Sequence, residues 1–112
     1  MSDNFIIEEV LHYKVFLYSR NAGGEKTDYS IQFRVPSGKA ILRFTRDYEL
    51  QNRYETHGDI NIYHVYLREE KYYNFIDILR YEKPIFFYYD LDNNLSYITT
   101  GDEPVGEEEN ED

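Results

Sequence analysis

The chain has 112 residues, 41% apolar and 18% aromatic, which fits one domain around one core and is too aromatic for a disordered chain. It contains no cysteine, so disulfides, thiolate metal sites and cysteine nucleophiles are excluded. The formal charge is −10, but seven of the 22 acids lie in residues 102–112, leaving 15 acids against 12 bases, or −3, in residues 1–101.

The opening "MSDNFIIEEV" has acids within its apolar stretch and no basic region ahead of it, so no secretory signal is expected. Within "FIIEEVL", Ile6, Ile7, Val10 and Leu11 fit a helical stripe as well as a strand. Residues 10–19, "VLHYKVFLYS", read as a strand with Leu11, Tyr13, Val15 and Leu17 on one face and His12 and Lys14 on the other. "SRNAGGEKTD" is a polar loop. It lacks the Gly-Lys-Ser/Thr element of a phosphate loop.

The clearest alternation follows. Tyr29, Ile31, Phe33 and Val35 alternate with Ser30, Gln32 and Arg34. Ala40, Leu42 and Phe44 alternate with Ile41, Arg43 and Thr45. Pairing Val35 with Ala40, Phe33 with Leu42 and Ile31 with Phe44 predicts a hairpin with a four-residue loop at 36–39. Residues 46–58 are polar and aperiodic and read as a loop. In "DINIYHVYLRE" both faces carry apolar groups, which predicts a central strand or one covered on both sides.

The period then changes. Tyr72, Phe75, Ile76 and Leu79 recur at helical spacing, with Glu69 and Glu70 at the start and Arg80 and Lys83 at the end, matching the helix dipole. Pro84 stops the helix. The strand "IFFYYD", the turn "LDNN" and the strand "LSYITT" follow. Asp90, Asp92 and Asn94 alternate like the start of a calcium loop. However, the sixth position is Leu95 and the twelfth is Gly101, so a turn is expected and no metal.

These elements predict an α+β domain over 1–101: a mainly antiparallel sheet of about six strands with one helix in the C-terminal half. Residues 102–112 are expected to form a disordered acidic tail. The stretch "FIDILRYEKPIFFYYD", continued by "LSYITTGDEPVGEEE", resembles the C-terminal half of small bacterial proteins of uncharacterised activity. In those a helix ends in Glu-Lys-Pro, a strand pair follows, and the chain closes on Glu-Pro-Val-Gly and acids. The resemblance implies a bacterial source and carries no activity with it.

His12, His57 and His64 show no helical metal spacing, and no serine sits in a nucleophile elbow. No enzyme activity and no cofactor are expected. No apolar run approaches the roughly 20 residues that span a bilayer, so the expectation is a cytoplasmic protein with no membrane contact. Thirteen tyrosines against seven phenylalanines favour a binding surface, since tyrosine gives large contact area at low entropy cost. Tyr63, Tyr66, Tyr88, Tyr89 and Tyr97 lie on the strands that are apolar on both faces and are the candidate contacts. The expected function is a small non-enzymatic accessory or immunity-type inhibitor that masks a partner surface. The partner is another protein or a second copy of the chain. The alternative is a nucleic-acid module using Arg34, Lys39, Arg43 and Arg46 on the first hairpin, against which the net negative body argues. A further alternative is an enzyme whose site is not recognisable in the sequence.

Overall fold

The computed structural model describes residues 4–19, 27–47 and 49–102. The polar loop and the acidic tail predicted above lie mostly outside them. Eight strands and one helix follow in chain order. They are β1 (Phe5–Glu9), β2 (His12–Leu17), β3 (Thr27–Val35), β4 (Gly38–Thr45), β5 (Arg53–His57), β6 (Ile60–Arg68), α1 (Tyr72–Tyr81), β7 (Ile85–Asp90) and β8 (Leu95–Thr100). A 3-10 turn, Glu69–Lys71, leads into α1. The fold is α+β and mostly strand, as expected, but the strands form two sheets rather than one. β1-β7-β8 is antiparallel, and β2-β3-β4-β6-β5 is mixed.

The ambiguous opening stretch is strand. Val10 donates its N–H to the Ile85 carbonyl in one sheet, and Leu11 donates to the Arg34 carbonyl in the other, both at 2.8 Å. The run from Phe5 to Leu17 therefore serves both sheets and bends where it changes over. The second unforeseen strand, β5, lies inside the predicted 46–58 loop and pairs with β6, His57 opposite Ile60. Its sequence, Arg-Tyr-Glu-Thr-His, has no apolar alternation because it is an edge strand exposed over most of its length.

Two pairings differ from expectation. In the first hairpin Val35 faces Gly38, Phe33 faces Ala40 and Ile31 faces Leu42, so only Pro36 and Ser37 form the loop. The slip is two residues, which keeps every side chain on its face. Gly38 belongs to the ladder because β6 runs against it: a Cβ there would stand 1.9 Å from the Asn61 carbonyl oxygen. The second difference is that β4 and β6 are parallel, with β5 making the return between them.

The core lies between the two sheets. Ile31, Phe33, Ala40, Leu42, Phe44, Tyr63 and Val65 enter it from the larger sheet, and Ile85, Phe87 and Tyr89 from the smaller. α1 covers the rest of the larger sheet with Tyr72 and Leu79 buried and Phe75 and Ile76 half-buried. Tyr72 stacks on Tyr29 at 4.2 Å and meets Phe44 edge-on at 5.4 Å. The predicted helical stripe is thus the packed face.

Candidate functional site

Of the five candidate tyrosines, strand parity sends two inward. Tyr63 and Tyr89 are fully buried. Tyr63 packs on Phe87 and Tyr89 with ring centroids 5.4 and 5.2 Å apart. Tyr89 donates its hydroxyl to Asn94 Oδ1 at 2.8 Å, and burial raises its pKa to about 12. Neither is presented to a partner. Tyr66 lies on the opposite face of β6 from Tyr63, under the Arg43 guanidinium at 5.7 Å.

Tyr88 and Tyr97 come together on the outer face of the three-stranded sheet. They face each other across β7 and β8 and stack at 4.4 Å, with an interplanar angle of 9°. Phe5 on β1 tilts against Tyr88 at 5.3 Å. Ile7 faces Tyr88, and Leu95 stands in the adjoining row, across Asp90 from Phe5. Ile7, Leu95 and Tyr97 expose 53%, 62% and 52% of their surface. The result is an apolar face crossing all three strands at Ile7, Tyr88 and Tyr97, with Asp90 interrupting it between Phe5 and Leu95. Sequence reasoning missed Phe5 and Ile7 because β1 had no settled secondary structure, and missed Leu95 because it considered only tyrosines on β8. The alternation that places Ile6 inside and Ile7 outside was present in the sequence.

The edge beside this face has its own character. β8 bonds to β7 on one side, and among the described residues nothing pairs along its other side. Its sequence, Leu-Ser-Tyr-Ile-Thr-Thr, carries no charge and no proline. The edge strand β5, by contrast, carries Arg53, Glu55 and His57, and β2 carries His12 and Lys14. Charges of that kind are how edges are kept from pairing.

The four basic candidates divide. Arg34, Lys39 and Arg43 project from the outer face of the five-stranded sheet. Arg46 sits beyond the end of β4, bonded to Asp28 and, at 2.7 Å, to Glu69. Arg43 bonds to His64 Nδ1 at 3.0 Å. A guanidinium only donates, so Nδ1 accepts and Nε2 holds the ring proton, which it gives to Glu55 Oε2 at 2.7 Å. Burial holds the His64 pKa below its usual value, and the His64 bond holds the Glu55 carboxyl below its own. Both ring nitrogens are therefore engaged, and the imidazole has no free nitrogen to act as a base. Asp90 accepts from the backbone of Asp92 and Asn93 and from the Asn93 amide, so the Asp90–Asn94 stretch is a turn tied by its own side chain.

Comparison with protein-family models, curated proteins and solved structures returns no match for this chain. Among the described residues no helix is long and apolar enough to cross a membrane.

Proposed function

We propose that this chain is a non-enzymatic binding protein of accessory or inhibitor type, which masks an apolar surface of another protein with the outer face of its three-stranded sheet. The observation that carries this reading is the coincidence of two features: the Phe5–Tyr88–Tyr97 aromatic face and the uncharged free edge of β8 beside it. Contiguous apolar patches of several hundred Å² mark interaction sites in soluble proteins. An open strand edge supplies directional main-chain bonds to an incoming strand. A partner that adds a strand to β8 and lays apolar side chains over Tyr97 and Ile7 uses both. The cysteine-free composition suits a reducing compartment, and the resemblance of the C-terminal half supports a bacterial source.

The test is site-specific photo-crosslinking in the cell of origin. The crosslinker replaces Tyr97 and, as a control, Tyr73, which is 67% exposed on the helix. A discrete adduct from position 97, absent from 73 and lost on Ile7→Glu, supports the reading. An adduct at twice the mass of the chain identifies a second copy as the occupant. Equal labelling from both positions, or an adduct indifferent to Ile7→Glu, rejects the face as a binding site.

A further inference from the structure

The outer face of the five-stranded sheet is basic in a chain that is otherwise acidic. Cross-strand register arranges it in rows. One row is Lys14, Gln32, Ile41, His64 and Arg53; the next is His12, Arg34, Lys39, Ile62 and Glu55. A third holds Phe16, Ser30, Arg43 and Tyr66. Five cations thus stand in three adjacent rows with one carboxylate, Glu55, which His64 and Arg53 engage. No ion pair among the described residues holds Lys14, Arg34 or Lys39.

Two concavities meet on this face. A shallow depression of about 160 Å³ is lined by His12, Lys14, Gln32, Arg34 and Lys39 and by no acid. A cleft of about 480 Å³ adjoins it and shares Arg34 and Lys39. Its floor is apolar, with Leu11, Pro36, Ile60 and Ile62, and Asp59 is among its lining residues. A ligand that fills both alternates negative charge with apolar surface.

We infer that this face binds single-stranded nucleic acid, with backbone phosphate in the basic depression and a base in the apolar cleft. Asp59 is placed to accept from a base amino group, as carboxylates do from cytosine. Farther along the sheet Phe16 and Tyr66 each lie within reach of a cation, Lys14 at 5.8 Å and Arg43 at 5.7 Å. Aromatic rings interleaved with cations form the usual single-strand platform. A carboxylate-rich peptide satisfies the cations but leaves the apolar cleft empty. The net negative charge does not forbid binding. At physiological salt the screening length is about 8 Å, so carboxylates on the far side of the molecule are largely screened from this face.

The experiment is fluorescence anisotropy of labelled oligodeoxycytidylate and oligocytidylate, each about 20 nucleotides long, with the full chain over a salt series. Three phosphate contacts on a single strand, from Lys14, Arg34 and Lys39, predict a log–log salt slope near −2.1. Arg34→Gln with Lys39→Gln removes two, so the slope falls by about 1.4 and affinity at 0.1 M salt drops about 25-fold. Lys71→Gln with Arg80→Gln, on the opposite side of the sheet, serves as the matched control and leaves affinity within about twofold. Circular dichroism confirms that both variants fold. Three results overturn the inference: no binding at about 25 mM salt, equal losses in the two double variants, or displacement by poly-glutamate as effective as by unlabelled oligonucleotide. The last assigns the face to acidic proteins.

Discussion

Tyr63→Phe tests whether the buried tyrosines act as structural hydrogen-bonding groups. Tyr63 is fully buried, with its hydroxyl 3.0 Å from Ser37 Oγ and 3.3 Å from Asn61 Nδ2. Ser37 gives its only hydroxyl proton to Glu8 Oε1 at 2.7 Å, so Tyr63 is the donor to Ser37 and the acceptor from Asn61. The relay Tyr63–Ser37–Glu8 joins β6, the first hairpin turn and β1. Phenylalanine keeps the ring contacts and deletes one short and one long hydrogen bond. At about 1 kcal/mol for a typical bond and less for the long one, the expected loss is about 1.5 kcal/mol. With an m-value of about 1.5 kcal/mol/M the urea midpoint falls by about 1 M at unchanged slope. The companion measurement is a double-mutant cycle with Glu8→Gln, where coupling above about 0.5 kcal/mol is expected because the two groups share Ser37. A Tyr63→Phe loss below about 0.3 kcal/mol, or strict additivity with Glu8→Gln, refutes the relay.

Leu79→Ala, on the buried face of α1, is expected to cost about 2–5 kcal/mol; a near-neutral denaturation midpoint would show that the helix does not seal the sheet. Gly38→Ala drives a Cβ into the Asn61 backbone and is expected to lose more than about 4 kcal/mol or to prevent folding. A variant with native near-ultraviolet dichroism and an unchanged melting temperature would contradict the close β4–β6 approach. Stability is expected to fall as pH drops from about 7 to 5. Burial lowers the His64 pKa in the fold, so the unfolded chain binds the proton more readily and acid favours unfolding. Glu55, whose carboxyl is held low, stays ionised through that window and adds no opposing slope. His64→Gln should flatten the profile, and an unchanged profile would place the titration elsewhere.

The sequence disclosed most where periodicity was strong. The alternation of Tyr29–Val35 and the stripe Tyr72, Phe75, Ile76 and Leu79 are legible because each element buries one face. The loop of the first hairpin was misplaced because Gly38 looks like turn chemistry, while its actual role, close approach to β6, is a tertiary fact. β5 was invisible because an exposed edge strand needs no apolar pattern. The candidate tyrosines divide between the core and the surface for a related reason. A strand apolar on both faces does not show which side is the core. Parity put Tyr63 and Tyr89 inside and Tyr88 outside. The basic face was legible as Arg34, Lys39 and Arg43. Lys14 and Arg53 joined it only when β2 and β5 took their places in the sheet.

The two outward faces follow different rules, and the difference bears on function. β3 turns Ser30, Gln32 and Arg34 outward, as expected for a sheet with one wet face. β7 turns Phe86, Tyr88 and, at its end, Asp90 outward, and its neighbours add Ile7 and Tyr97. Folding does not require this. The core is filled by Phe87, Tyr89 and Ile85 on the inner side, and Leu95 and Tyr97 remain more than half exposed. The Tyr88–Tyr97 stack contributes about 0.5–1.5 kcal/mol, which accounts for two rings and not for a whole apolar face. Leu95→Ser should therefore leave stability within about 0.5 kcal/mol while making the face more polar. A larger loss would mean that Leu95 serves the fold and would weaken the case for a partner. A small one would leave an apolar edge that the monomer does not use, whose cost in solubility is offset only when something covers it.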